Sequence, residues 1–195
     1  MTTQIEKAKQ LFNSYYDTVY NRARVKKDKA FKDIVGEEYE KMRKSLYESN
    51  GLIAGPGQIA GYNADLIVKD PNTQRIVAIE EDKGHYVDSC FLKRFLVNAA
   101  EIINHYIEQG YDETEIPLIF LSSPTTLATY KDSFAKTKKL FKNEISEMMD
   151  KKIRYLSYCS HDRIPAKRYF KSKDNSCFAM SDSLITKQVE LIQSL

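Results

Sequence analysis

The chain has 195 residues, of which 42 % are hydrophobic, enough for one good core and with no composition that asks for a second domain. Its net charge of +3 is too small to establish a polyanionic partner by itself. No apolar segment approaches the length needed to span a bilayer, so no membrane role is expected.

Met1 to Lys9 is polar and charged, so no secretory leader is expected. The three cysteines, Cys90, Cys159 and Cys177, are odd in number and lack CxxC spacing, which argues against a disulfide framework and a zinc knuckle. They suit a reducing, cytoplasmic compartment, with Cys90 and Cys159 read as small buried hydrophobes inside apolar runs.

From Thr3 to about Lys32, Ile5, Ala8, Leu11, Phe12, Tyr15 and Tyr16 recur at intervals of three and four, which predicts an amphipathic helix. A basic block, Arg22, Arg24, Lys26, Lys27, Lys29 and Lys32, ends it. Arg163, Lys167, Arg168, Lys171 and Lys173 form a second block near the end of the chain. Such blocks can follow a phosphate backbone by releasing counterions, and each fits a solvated face equally well.

A second helix is expected from about Lys32 to Ser49, with Ile34, Val35, Tyr39, Met42 and Leu46 on its apolar face and Asn50-Gly51 as its cap. Gly51 to Gly61 contains four of the seven glycines together with Pro56 and reads as a loop or a kinked strand. It lacks the Lys-Ser/Thr ending of a phosphate-binding loop. Ala64 to Lys69 and Arg75 to Glu81 read as two strands of a β-hairpin joined by the turn Asp70-Pro71-Asn72-Thr73.

A long helix with a wide apolar face is expected from about Val87 to Gln109, stopped by Gly110. Pro117 to Ser122 reads as a buried strand, Leu127 to Met149 as one helix, and Lys152 to Cys159 as another strand. That order implies a crossover that makes the last two strands parallel. Ser160 to Lys173 reads as a basic loop, and Asp182 to Leu195 as a closing helix.

The chemistry gathers on the hairpin. Asp65 opens one strand, while Glu80, Glu81, Asp82 and Lys83 end the next. Strand alternation puts Glu81 and Lys83 on one face and Glu80 and Asp82 on the other, and antiparallel pairing brings Asp65 near Glu81. A hard divalent cation such as Mg²⁺ takes a few carboxylate oxygens and keeps other positions for water and phosphate. Asp65 and Glu81 are therefore candidate metal ligands, with the main-chain carbonyl of Asp82 as a third. Lys83 is placed to orient the attacking water or to stabilise charge on the phosphoryl oxygens. The same run also fits a charged strand end with local ion pairs.

Asp65, fifteen intervening residues, then Glu81-Asp82-Lys83 resembles the PD-(D/E)xK motif of a nuclease superfamily that includes many type II restriction endonucleases and several repair nucleases. The element order is similar as well, over roughly residues 32 to 160. The resemblance implies an α/β fold with a restriction-endonuclease-like core, a central mixed β-sheet flanked by helices, in one nuclease domain. A helical N-terminal extension and a basic C-terminal segment would complete it. It also implies Mg²⁺ as cofactor, with Mn²⁺ able to substitute. Ala64 stands where the family often has proline, and Asp82 where an apolar residue is usual. The latter leaves open a register in which Glu80 and Asp82 are the inward acids.

In many relatives a glutamate of the preceding helix joins the site, and Glu37, Glu38, Glu40 and Glu48 are available, Glu48 being nearest the glycine-rich loop. Lys26, Lys27, His85, Arg163, Lys167 and Arg168 are candidate DNA contacts. His85 fits equally a helix-entry residue bonded to the backbone, and His105 reads as a surface residue. His161-Asp162-Arg163 lacks the partners of an HNH nuclease. Tyr62 and Tyr86 flank the cluster and could stack on nucleic acid, while Asn63, Ser122, Ser123 and Thr125 lie where loops approach a groove. By resemblance, a compact chain without helicase or methyltransferase segments suits a type II restriction endonuclease. It would act as a homodimer on double-stranded DNA. A structure-specific repair or recombination nuclease of the same fold, and a non-catalytic nucleic-acid-binding protein, are the alternatives.

Overall fold

A computed structural model of the chain describes residues 2–20, 31–84, 87–124, 130–157, 164–165, 176–177 and 180–195. In chain order its elements are α1 (Thr2–Ser14), a π-helical turn (Tyr15–Tyr20), α2 (Phe31–Ser49), β1 (Ile53–Ile59), β2 (Tyr62–Lys69), β3 (Ile76–Asp82), α3 (Ser89–Glu108), β4 (Leu118–Ser123), α4 (Tyr130–Lys138), α5 (Asn143–Lys152), β5 (Ile153–Ser157), β6 (Ile164–Pro165), β7 (Ser176–Cys177) and α6 (Asp182–Gln193). They divide into two compact units, Met1–Leu52 with Tyr158–Leu195, and Ile53–Ser157.

In the first unit α1 packs on α2 and α6. The helix expected from Thr3 to Lys32 does not run on as an α-helix. After Ser14 the chain widens into the π turn, which turns Tyr15, Tyr16 and Tyr20 inward together. Their rings meet each other and Tyr39 at centroid distances of 5.3–6.1 Å. Along α2, Val35, Tyr39, Met42 and Leu46 are buried as their spacing predicts, whereas Ile34 lies off that face and is 53 % exposed. Ser181 caps α6 by accepting from the Leu184 amide, and β6 pairs antiparallel with β7.

The second unit is an α/β layer structure, a five-stranded mixed sheet of order β1-β2-β3-β4-β5 flanked by helices. β1, β2 and β3 form an antiparallel meander, and β3, β4 and β5 are parallel, so both the expected hairpin and the expected parallel pair are present. Each loop of the meander has a local cause. Ala60 and Gly61 have φ of 48° and 78° between the paired residues Ile59 and Tyr62, the two left-handed positions of a type I′ turn. The Asp70 carboxylate accepts from the amides of Asn72 and Thr73 at 2.8 Å each and closes the β2–β3 turn.

The glycine-rich stretch is a kinked strand. Between Gly55, paired with Ile67, and Gly57, paired with Ala64, only Pro56 lies on β1, while Asp65 and Leu66 lie opposite on β2. This is a β-bulge. Proline brings no amide to the ladder, and β1 is an edge strand where such a gap is tolerated. The bulge resets the alternation of β2, so Ala64 and Ile67, three residues apart, enter the same hydrophobic core.

That core lies between the sheet and α3. Asp88 caps α3 by accepting from the Phe91 amide at 2.7 Å, and Gly110 follows it at φ 78°. The helix buries Phe91, Leu92, Phe95, Leu96, Ala99, Ala100, Ile102, Ile103 and Tyr106. Cys90 was expected in the core but is exposed, because at the second position of α3 it lies on the opposite side from Phe91 and Leu92.

The single helix expected from Leu127 to Met149 is two, broken at residues 139–142, and residues 125–129 lie outside the described region. In the break, the Ser146 hydroxyl donates to the carbonyls of Lys138 at 2.8 Å and Phe141 at 3.3 Å, so a side chain satisfies groups that continued helix would have paired. Phe141 then packs on the core while Leu140 is left 66 % exposed.

Candidate active site

Cross-strand pairing of β2 and β3 runs through Ile67–Ile79 and Leu66–Glu80, so the next step outward sets Asp65 opposite Glu81. There the ladder gives way to a side chain. Asp65 Oδ2 accepts from the Asp82 amide at 2.7 Å, which fixes the carboxylate at the open end of the hairpin. Glu81 Oε2 accepts from the Tyr62 hydroxyl. The bulge at Asp65–Leu66 is what lets Tyr62, three residues before Asp65, reach the same side of the sheet.

Lys83 continues β3 by donating its amide to the Ser122 carbonyl at 2.8 Å. Its ammonium lies 4.2 Å from the centroid of the Phe91 ring, and its charge reaches both Asp65 and Glu81. Glu80 and Asp82 occupy alternate positions on β3 and are buried, at 0 % and 5 % exposure. The register that joins Asp65 to Glu81 and Lys83 is therefore the one the fold adopts, and Glu80 and Asp82 turn to the other face.

Burial pushes the Asp65 carboxyl up, and the Glu80 charge adds to this, against the pull of the Asp82 amide and the Lys83 charge. Glu81 is pushed up to about 7, first by burial and then by the charge of Asp65, while the Tyr62 hydrogen bond, Lys83 and Arg94 oppose the rise. The Tyr62 hydroxyl is raised by burial and by the Glu81 charge, so it stays a donor. Two adjacent carboxyls, both pushed up by burial and with one lysine beside them, form an arrangement that a cation would complete.

The donor set suits a hard divalent ion that takes two carboxylates and retains water. Asp65 and Glu81 are the side chains of this cluster that would hold such an ion. Among the described residues no group of three His, Cys, Asp or Glu side chains that could bind a metal is present.

Beside the pair, a cleft of about 450 Å³ opens between the β1–β2 turn and α3, with Glu81 and Arg94 in its walls. Arg94 is a site residue that sequence reasoning missed. Its only signal is an exposed cation on the helix that follows Lys83. Glu48 and Glu38 belong to the other unit, where they pair with Lys44 at 3.6 Å and Lys41 at 2.6 Å. His105 is exposed as expected. Lys26, Lys27, His85, Tyr86, Thr125, Cys159, Arg163, Lys167 and Arg168 lie outside the described residues. Compared with protein-family models, with curated proteins and with solved structures, the chain gives no match.

Proposed function

We propose that the chain is a metal-dependent endonuclease that hydrolyses DNA phosphodiester bonds, built on a restriction-endonuclease-like core and acting on duplex DNA in the manner of a type II restriction enzyme. The observation that carries the reading is the meeting of Asp65 and Glu81 across the open end of the β2–β3 hairpin, with Lys83 on the same face. The order of elements around them supports it. A helix, an antiparallel meander, a helix and a further strand follow one another along the chain, the order that the resemblance implies.

Asp65 and Glu81 would hold Mg²⁺, which when bound supplies an acidified water and neutralises charge on the phosphoryl oxygens. The chain's own groups do the rest. The Asp82 amide and the Tyr62 hydroxyl orient the two carboxylates, so little reorganisation accompanies ion binding. Lys83, braced over Phe91, offers its ammonium to the attacking water and the scissile phosphate. The basic blocks that include Lys26, Lys27, Arg163, Lys167 and Arg168 would follow the DNA backbone, and a homodimer would carry one such site for each strand.

The test is Mg²⁺-dependent nicking of supercoiled plasmid by the wild type, Asp65→Asn and Lys83→Ala. Loss of a single stabilising group costs about 10²–10³ in rate, and each variant is expected to lose at least that much. Undiminished nicking by Lys83→Ala sinks the mechanism. Absence of nicking by every protein, with DNA still bound, favours a binding module.

A further inference from the structure

The cleft beside Glu81 has the size of a small-ligand pocket and a polar lining that includes Tyr62, Asn63, Arg94, Asn98 and Glu101. It lies wholly within the sheet unit, and its volume of about 450 Å³ falls in the range of small-ligand pockets, so a duplex does not fit inside. One wall is the β1–β2 turn with Tyr62 and Asn63, and the other is the flank of α3 with Arg94, Asn98 and Glu101. The type I′ turn holds the first wall in place, and the cap and core packing of α3 hold the second. Tyr62 is tied to Glu81 through its hydroxyl, which leaves its ring fixed at the cleft.

The charges are ordered along the cleft. Arg94 lies close enough to Glu81 and Tyr62 for its charge to act on both, so the cationic end is beside the carboxylate pair. Asn98 and Glu101 follow one and two turns further along α3, and at 1.5 Å per residue Glu101 is about 10 Å beyond Arg94. A guanidinium holds a phosphate, and a glutamate repels it. An Asn amide that donates to a ring nitrogen and a Glu carboxylate that accepts from the neighbouring exocyclic amine match the Watson–Crick edge of adenine or cytosine, where guanine instead presents N1–H.

We propose that this cleft takes up a single unpaired nucleotide next to the bond to be cut, with its phosphate on Arg94 and an adenine or cytosine edge on Asn98 and Glu101. This rests on the nuclease reading and narrows its substrate to a strand that is unpaired at that nucleotide, either already single-stranded or drawn out of a duplex.

The test is fluorescence anisotropy with labelled oligonucleotides in Ca²⁺, so that binding is read without the Mg²⁺ reaction. The wild type is expected to bind a single-stranded A- and C-rich oligonucleotide about tenfold more tightly than oligo-dT. Arg94→Ala and Asn98→Ala are each expected to weaken that binding about tenfold, and Glu101→Gln to erase the base preference. Arg94 is exposed and Asn98 only half-buried, so unchanged circular dichroism and thermal midpoints will show that the variants fold.

A duplex carrying 2-aminopurine at the cut position separates the two sources of the nucleotide. A rise in its fluorescence means extrusion from the helix, and tight binding of single strands alone means that the strand arrives unpaired. Equal affinity of wild type, Arg94→Ala and Asn98→Ala for every oligonucleotide overturns the proposal. If plasmid is still nicked in that case, the nuclease reading survives without the cleft. If nothing is cut but binding depends on Arg94 and Asn98, the cleft stands and the nuclease reading falls.

Discussion

Tyr62 and Glu81 tune one another. The Tyr62 hydroxyl donates to Glu81 and so favours its ionised form, while burial and Asp65 disfavour it. Removing the donor in Tyr62→Phe should raise the Glu81 carboxyl above about 7, so a higher pH is needed to ionise it. The expected outcome is a pH–rate profile whose rising limb moves to higher pH, with a lowered rate at neutrality. An unshifted profile would show that the phenol does not act on Glu81.

The same group couples pH to stability. Without a cation the folded protein keeps the Glu81 proton up to about pH 7, whereas the unfolded chain releases it near the ordinary value of 4.5. Between these values the folded state binds more protons, so its stability should fall as the pH rises, by on the order of 2–3 kcal/mol. Urea denaturation of the metal-free protein across this window checks the sign. Added Mg²⁺ is expected to flatten the fall, because it stabilises the ionised form.

Among the elements, α3 joins core to site, since it buries nine side chains and also presents Arg94 to the cleft. Leu96 is fully buried beneath the sheet, and Leu96→Ala should cost about 2–5 kcal/mol in denaturant titrations. Asp88→Ala removes only the cap, and about 1 kcal/mol is expected. A loss of nicking from Asp88→Ala much larger than its loss of stability would mean that the entry to α3 acts directly at the site.

Much at this scale was legible in the sequence. The turn at Asp70, the cap of α2 and the apolar face of α3 follow from local chemistry. The bulge opposite Pro56 was not, because it depends on which residue of β2 faces the gap in the edge strand. The break between α4 and α5 was hidden for a similar reason. The apolar period runs through it, whereas the bonds from Ser146 and the packing of Phe141 accompany the division of the helix.

For the whole molecule, a net charge of +3 leaves association with DNA to local groups rather than to bulk attraction. If about six phosphates are contacted, affinity should fall about 10³-fold or more between about 50 and 200 mM salt, as an anisotropy titration will show. A flat salt response would argue against a phosphate-tracking surface. EDTA should abolish cleavage and Mg²⁺ or Mn²⁺ should restore it, whereas cleavage that persists in EDTA would remove the metal from the mechanism.

The sequence by itself determined the alternation of the mixed elements and the placing of Asp65, Glu81 and Lys83 at the ends of paired strands. Those features depend on the period of side chains along a strand and on turn residues close in the chain. Tertiary structure decided which face the acids share, and it joined Tyr62 to Glu81 and set Arg94 beside them. Each of these contacts spans a bulge, a turn or a helix entry, where the direction of a side chain is set by packing and not by its place in the chain.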